Sequence, residues 1–166
     1  SDLFEEQFML PKPFVGSYGI ISNDGIPKPN FWAFKMLSQL YPKRLLLPMR
    51  TNAPVEYAAF TDGKRLQVLI YAQDNDYQRN DCFNVDLSIN FKAEAVNVQR
   101  IDNSHCNPKA EWQKLGSPDN LTHQQVEEIK RSTCLKSEKL HFSTNDGSTE
   151  LRVSLHTNDV IMLSIV

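Results

Sequence analysis

Two neighbouring carboxylates, Glu5 and Glu6, are the first residues whose side chains could do acid–base chemistry. A pair of carboxyl groups acts as general acid and general base only when both lie within reach of one bond. Successive side chains of an extended segment point to opposite sides of the chain. Glu5 and Glu6 therefore cannot flank one bond, and the adjacent pair alone predicts no catalytic site.

A second polar group lies further along, where Asp102, His105 and Asn107 stand close together with Cys106 between them. These side chains could form a polar contact site for a ligand or for a neighbouring domain. The commoner use of Asp and Asn in a long loop is to satisfy nearby backbone groups. The sequence leaves both interpretations open and favours the second.

Trp112 follows this loop and also has two interpretations. Its flat indole could stack on a ligand ring. It could instead anchor the loop that continues through Leu115-Gly116-Ser117-Pro118 to the β-rich part of the chain, which is the commoner role of a tryptophan in such a setting.

The cysteines and histidines lack the spacing of a metal site. Cys82, Cys106 and Cys134 are widely separated, and the sequence has no paired C-x-x-C ligands near His105. It also has no glycine-rich phosphate-binding loop. We therefore expect neither a metal nor a cofactor. Widely spaced cysteines favour reduced thiols, and with no leader visible in the sequence they predict a cytoplasmic location.

The composition is that of an ordinary globular domain, with 40% hydrophobic residues and a net charge of −2. No run of Lys and Arg stands out, so we expect no direct contact with nucleic acid. No apolar stretch approaches the ~20 residues that a membrane span needs, so we expect no membrane insertion.

One helix is predicted in the first part of the chain. Pro29 suits its first turn, where the missing N–H costs nothing, and Pro42 ends it. Between them apolar residues recur at helical spacing, namely Phe31, Phe34, Leu37, Leu40 and Tyr41. We expect Phe31, Trp32 and Phe34 to contact the core.

From residue 50 the apolar period changes from 3.6 to 2, which predicts strands. Asp62-Gly63 predicts a tight turn between Val55–Thr61 and Arg65–Ala72. Apolar and polar residues also alternate over residues 83–91 and 151–155, and residues 93–101 and 161–165 are further strand candidates. Thr122 and Gln125 have capping-box spacing and predict one inserted helix. The predicted fold is mainly β, an antiparallel β-sandwich with one N-terminal helix and one inserted helix.

Three segments, in order along the chain, resemble glycoside hydrolase family 39, which holds the β-xylosidases and the α-L-iduronidases. The segment S-D-[VI]-F-E-E that closes the family's catalytic barrel is similar to Ser1-Asp2-Leu3-Phe4-Glu5-Glu6. The family's passage G-G-F-G-L-[LI]…G-I-P-K-P…A-[FY] is similar to Gly16-Ser17-Tyr18-Gly19-Ile20-Ile21, Gly25-Ile26-Pro27-Lys28-Pro29 and Ala33-Phe34. The passage I-D…H-x-N…W…[ML]-G-S-P…[PT]-T…Q is similar to Ile101-Asp102, His105, Asn107, Trp112, Leu115-Gly116-Ser117-Pro118 and Thr122 with Gln125.

In this family a (β/α)8 barrel is followed by a β-sandwich. The resemblance implies that residues 1–44 are the end of a barrel, comprising its last loop and helix, and that residues 45–166 are the sandwich. Both catalytic carboxylates of the family lie on barrel strands upstream of this segment, and a barrel needs about 250 residues. The resemblance thus implies no catalytic residue in this chain.

The same resemblance gives the candidate residues an expected place. Glu5 or Glu6 would be a remnant of the sugar pocket, since active sites lie at the C-terminal ends of barrel strands. The alternative is an acidic loop in contact with solvent. The polar side chains of the later loop, together with its tryptophan, would face a sugar or the neighbouring barrel. These residues are Asp102, His105, Asn107 and Trp112.

The function implied is a non-catalytic accessory sandwich with a role in packing or assembly. A first alternative is the C-terminal sensing or assembly module of an AraC-type transcription regulator, some of which resemble a fusion of a DNA-binding part to such a region. A second alternative is a carbohydrate-binding module. The upstream sequence would separate the enzyme from the regulator.

The expected partners follow from the same implication. The first is the upstream barrel of the parent protein, with a xylose-type sugar as the parent's ligand. A homodimer is the second, because apolar residues crowd the first fifteen positions and predict an exposed patch or an interface that covers it. These residues are Leu3, Phe4, Phe8, Met9, Leu10, Phe14 and Val15.

Overall fold

The computed structural model describes residues 12–14, 19–47, 54–76 and 78–166. The chain divides into two compact units, and each has its own apolar core. The helical unit comprises the described residues of Ser1–Ser38 and of Asn103–Leu135. The β-unit comprises the described residues of Gln39–Asp102 and of Lys136–Val166.

Three helices and nine strands form within the described residues. The helices are α1 (Pro29–Leu37), α2 (Pro108–Lys114) and α3 (His123–Ser132). The strands are β1 (Lys43–Leu45), β2 (Val55–Thr61), β3 (Leu66–Ala72), β4 (Cys82–Ile89), β5 (Val96–Ile101), β6 (Glu138–Lys139), β7 (Ser143–Asn145), β8 (Ser148–His156) and β9 (Val160–Ile165).

Six strands form one antiparallel sheet in the order β1-β2-β3-β9-β5-β6. The predicted Asp62-Gly63 turn joins β2 to β3, and Gly63 adopts a φ of +96°, which suits a residue without a Cβ. The Asp62 carboxylate accepts hydrogen bonds from the backbone N–H groups of Lys64 and Arg65 and pairs with the Arg65 side chain. These contacts lower the pKa of Asp62 to about 2, so the turn is held by a charged carboxylate at neutral pH.

The other three strands form an antiparallel sheet in the order β4-β8-β7. Leu151, Val153 and Leu155 of β8 are buried and the residues between them are exposed, as expected for a strand with one face on the core. The same core contains inward residues of β3 and β9, namely Val68, Ile70, Ile161, Leu163 and Ile165. Two antiparallel sheets around a shared core confirm the predicted mainly β sandwich.

The helical unit has a separate core around α3. This helix begins at the predicted capping box, where the Thr122 hydroxyl accepts from the Gln125 N–H and the Gln125 side chain accepts from the Thr122 N–H. The capping box satisfies N–H groups that the first helical turn leaves without intrahelical partners. The core residues are Phe14, Ile26, Trp112, Val126 and Ile129, with Leu121 packed against them.

The inserted segment holds two helices where the sequence predicts one. α2 has only seven residues, which is too short to show a helical period. Because α2 and α3 share a core with Phe14 and Ile26, residues 103–135 cluster with the helical unit. The compact units therefore cut across the predicted division between residues 1–44 and 45–166, and the assignment of residues 1–44 to a barrel end stays a prediction.

The predicted buried face of α1 is wrong in part. Met36 is the buried residue of this helix at 1% exposure, whereas Phe34 is 63% exposed and Leu37 is 46% exposed. Apolar side chains lie around most of this nine-residue helix, so spacing alone does not decide which stripe is buried. Phe31 and Trp32 are half-buried and meet edge to face.

Gln67 fixes the segment that leads into the six-stranded sheet. It lies on β3, is buried, and faces away from the core shared by the two sheets. Its side-chain oxygen accepts from the Tyr41 N–H at 2.8 Å, and its side-chain nitrogen donates to the Gln39 carbonyl at 3.1 Å. One amide thus satisfies a backbone donor and a backbone acceptor within a short turn.

We predict that Gln67→Met lowers the free energy of unfolding by about 1–3 kcal/mol, because it leaves a backbone donor and acceptor without partners. Urea denaturation followed by circular dichroism measures the change. Gln113→Met makes the same replacement at an exposed position of α2 and is the control. Equal urea midpoints for the two variants would contradict the role of the Gln67 side chain in satisfying these two backbone groups.

Candidate functional site

The predicted site residues fall in different parts of the chain. Glu5 and Glu6 lie outside the described residues. Asp102 ends the β5 region of the β-unit, whereas His105 and Asn107 belong to the helical unit. The interpretation of these residues as contacts for a sugar or a barrel stays a prediction.

Asn107 has a structural role in the helical unit. It caps the N-terminus of α2, where its side-chain oxygen accepts from the Ala110 N–H at 3.2 Å. Its side-chain nitrogen donates to the Asn103 carbonyl at 3.2 Å. Pro108 follows at the first helical position, where no N–H is needed. The pair Asn107-Pro108 is the sequence signal for α2 that the periodicity did not supply.

Trp112 lies inside the core of the helical unit and is 8% exposed. Its indole N–H donates to the Pro118 carbonyl at 2.9 Å, and its ring lies 6.0 Å from the ring of Phe14. The hydrogen bond holds the loop after α2 against the helix. The indole is therefore an anchor within the helical unit, where the sequence predicts an anchor to the sandwich.

A buried carboxylate that sequence reasoning missed lies at the turn between β8 and β9. Asp159 is buried and accepts a hydrogen bond from the His156 backbone N–H at 2.6 Å, with the His156 Nδ1 atom 3.5 Å away. Burial raises the pKa of Asp159. The His156 hydrogen bond opposes that rise, and the charge of Asp102 adds to it. The signal in the sequence is Asn158-Asp159 between two apolar runs, a pattern typical of a tight turn.

An apolar groove of about 1220 Å³ lies beside β4 in the β-unit. Phe83, Val85 and Leu87 of β4 point into it and are half-buried. Its other wall is the inner face of β2 and β3, and Leu45 and Leu47 line one side. Alternating apolar residues on β4 were predicted from the sequence, but the open space beside them was not.

The described residues show no centre for metal chemistry and no membrane helix. Within the described residues, no group of three or more His, Cys, Asp or Glu side chains could hold a metal ion. No helix in that part of the chain is both long enough and apolar enough to cross a bilayer. Cys82, Cys106 and Cys134 are all free thiols.

Comparison with known proteins gives a consistent set of relatives. The model of the family "Glycosyl hydrolases family 39" matches residues 1–149. A β-xylosidase from Caldicellulosiruptor saccharolyticus is 28% identical over 169 residues, covering 99% of this chain and 35% of the relative. A β-xylosidase from Geobacillus stearothermophilus is 25% identical, covering 99% of this chain and 32% of the relative.

Solved structures agree on the fold. The GH39 enzyme from Xanthomonas axonopodis pv. citri has a TM-score of 0.72 at 22% identity, covering 99% of this chain and 35% of that enzyme. A monomeric β-xylosidase from Caulobacter crescentus has a TM-score of 0.69 at 23% identity, covering 99% of this chain and 36% of that enzyme. The chain spans about a third of the length of these relatives and matches their C-terminal part.

We predict that Trp112→Phe lowers the free energy of unfolding by about 1 kcal/mol, because it removes the hydrogen bond to Pro118 and keeps most of the buried ring. Trp32→Phe is the matched control, since the Trp32 indole nitrogen is buried without a partner among the described residues. This control should leave the stability unchanged or raise it slightly. Thermal unfolding of both variants measures the difference, and an equal loss in both would contradict the anchoring role.

We predict that Asp159→Asn gains stability relative to the parent chain as the pH rises from 3 to 5.5. Below the ordinary aspartate pKa near 3.9 the carboxyl is protonated in both folded and unfolded chains. As pH rises, the unfolded chain loses this proton first, because the folded pKa is raised, and the parent is then destabilised. Urea titrations across this range measure the difference, and one that stays constant or shrinks would contradict the pKa shift.

Proposed function

The chain belongs to glycosyl hydrolase family 39, and from that premise we propose that it is the non-catalytic C-terminal accessory part of a β-xylosidase-like protein. Its task is to pack against the upstream catalytic barrel of the same polypeptide and to stabilise it. The reactive carboxylates and the sugar pocket belong to that upstream part.

The single observation that carries this proposal is the share of the relative's length that this chain matches. The match to the Caldicellulosiruptor β-xylosidase includes 99% of this chain but only 35% of the enzyme. A glycosidase of the retaining or inverting type needs two carboxyl groups facing one glycosidic bond. A (β/α)8 barrel that positions them needs about 250 residues, which is more than the 166 residues of this chain.

Exposed apolar side chains support a packing role. Phe34 and Leu37 lie one turn apart on α1 in the helical unit and are both exposed. Large apolar side chains grouped on a surface are typical of sites that contact another protein surface. The upstream barrel is the partner that family membership supplies for such a surface.

The exposed aromatic side chains bear on sugar binding. Phe34 is the only exposed Phe, Tyr or Trp among the described residues, whereas a sugar-binding face needs several flat aromatic surfaces.

The cysteines bear on location. All three are free, which supports a reducing, cytoplasmic location.

We predict that the purified chain unfolds cooperatively but hydrolyses no aryl β-xyloside. Each unit is expected to unfold cooperatively because each has its own apolar core, so the chain should show one or two sharp transitions. The absence of turnover is expected because the barrel carboxylates are not in this chain. Thermal unfolding and release of nitrophenol from 4-nitrophenyl β-xyloside measure the two properties on one preparation.

The folded state of that preparation is the control, because an unfolded chain would also be inactive. Turnover that scales with the concentration of the folded chain would overturn the proposal.

A further inference from the structure

The sequence contains three Asp-Gly steps, Asp24-Gly25, Asp62-Gly63 and Asp146-Gly147. An aspartate before a glycine can rearrange without an enzyme, because the glycine nitrogen attacks the neighbouring side-chain carboxyl carbon and no Cβ hinders the approach. Each of the three glycines has a positive φ and lies in a turn or bend. The dipeptide alone therefore gives the three steps equal reactivity, and their surroundings decide between them.

The hydrogen bonds of the β2–β3 turn close the step Asp62-Gly63 to this reaction. The Gly63 N–H donates to the Thr61 hydroxyl at 2.9 Å, which holds the attacking nitrogen in place. The Asp62 carboxylate is occupied by the backbone N–H groups of Lys64 and Arg65. Attack takes place on the protonated carboxyl group, and the same contacts lower the pKa of Asp62 to about 2. The reactive form is therefore scarce at neutral pH.

The turn that contains Asp24-Gly25 is held by its neighbours. The Gly25 N–H donates to the Ser22 carbonyl at 2.9 Å, and the Ser22 N–H donates to the Ile26 carbonyl at 2.9 Å. Ile26 is 0% exposed and belongs to the core of the helical unit. Movement of the Gly25 nitrogen towards the Asp24 carboxyl carbon would break this turn and disturb a buried side chain. This step is therefore protected by packing.

The third step, Asp146-Gly147, has neither protection. It forms the two-residue turn of the β7–β8 hairpin, between the paired residues Asn145 and Ser148. Both turn residues are exposed. Within the described residues, no hydrogen bond holds the Asp146 carboxylate or the Gly147 N–H. A Cβ added at Gly147 would meet no atom within 4 Å, so the space around this glycine is open.

The strand that leads into this turn opens at little cost. β7 is the outermost strand of its sheet and pairs with β8 alone, and its three residues are polar and exposed. Opening of the hairpin therefore removes no apolar side chain of β7 from the core. Asp146 has a φ of 48°, a left-handed conformation that is uncommon for a residue with a Cβ. In the open hairpin Asp146 can become extended, and its carboxyl carbon can then approach the Gly147 nitrogen.

We propose that Asp146 is a modification site, at which this chain converts aspartate to isoaspartate. The proposal goes beyond the proposed function and does not rest on it. In the first step the Gly147 nitrogen forms a bond to the side-chain carboxyl carbon of Asp146. The amide hydrogen and the carboxyl hydroxyl leave together as water, and a five-membered succinimide ring remains.

Water completes the conversion in the second step. It adds to the main-chain carbonyl carbon of the ring and breaks the bond between that carbon and the Gly147 nitrogen. The chain then continues through the former side-chain carboxyl carbon of Asp146, and the main-chain carboxylate becomes free. One water molecule is lost and one is taken up, so the mass is unchanged and no oxidant, reductant or cofactor takes part.

The product defines the class of enzyme that would act on it. A carboxyl methyltransferase that uses S-adenosylmethionine transfers the methyl group from the sulfonium to the free carboxylate of an isoaspartate. The ester then closes to the succinimide and releases methanol, which gives aspartate a second chance to form. The turn at Asp146 is exposed beside an outermost strand, so such an enzyme can reach it.

The modification has a local effect on the three-stranded sheet. Isoaspartate adds one carbon atom to the backbone between residue 146 and Gly147. A two-residue hairpin turn depends on the backbone length and on a positive φ at both of its central residues. The added atom breaks the register of Asn145 with Ser148 and releases β7. The pairing of β4 with β8 does not involve this turn, so these two strands stay together.

Incubation of the folded chain at neutral pH, below its unfolding temperature, tests the proposal. Peptide mapping with electron-transfer fragmentation distinguishes isoaspartate from aspartate at each step. Isoaspartate should accumulate about tenfold or more faster at Asp146 than at Asp24 or Asp62, because only the Asp146 turn opens readily. In urea the three steps should convert at similar rates. Similar rates in the folded chain, or a faster rate at Asp24 or Asp62, would overturn the proposal.

Two variants test the causes separately. Thr61→Val keeps the branched shape and removes the hydroxyl that holds the Gly63 N–H, so Asp62 should convert several-fold faster while Asp146 is unchanged. Asp146→Glu keeps the charge of the turn, but attack must then close a larger ring, which is far slower. The methyl groups that an isoaspartyl methyltransferase adds to the aged chain should therefore fall to the level given by the other two steps. Parent-level methylation of Asp146→Glu, or no gain at Asp62 in Thr61→Val, would contradict the assignment.

Discussion

The apolar interior between two sheets of unequal width is the constraint on which the rest of the β-unit depends. Six strands on one side face three on the other, so one layer cannot cover the other completely. β8 and β9 lie where coverage is full and their inward residues are buried. β4 lies where coverage stops. The groove beside β4 follows from this mismatch.

Local signals in the sequence were enough to predict much of the β-unit and part of the helical unit. Asp62-Gly63 located the β2–β3 hairpin, alternation located β4 and β8, and Thr122 with Gln125 located the start of α3, because each depends on neighbours in sequence. Non-local features could not be predicted in this way. Which face of α1 is buried and which sheet a strand joins are decided by packing between distant residues.

The predicted site illustrates the same limit. Asp102, His105 and Asn107 are close in sequence, yet they divide between two compact units, and Asn107 is used to cap α2. Alternation on β4 predicted a strand with one apolar face. It could not show that the apolar residues of β4 stay half-buried, because burial depends on packing between residues that are distant in sequence.

An experimental structure of the longer protein, at a resolution that shows side chains, tests the central claim most directly. The account predicts that both carboxyl groups facing the sugar come from the upstream barrel. A catalytic carboxylate contributed by residues 1–166 would contradict it.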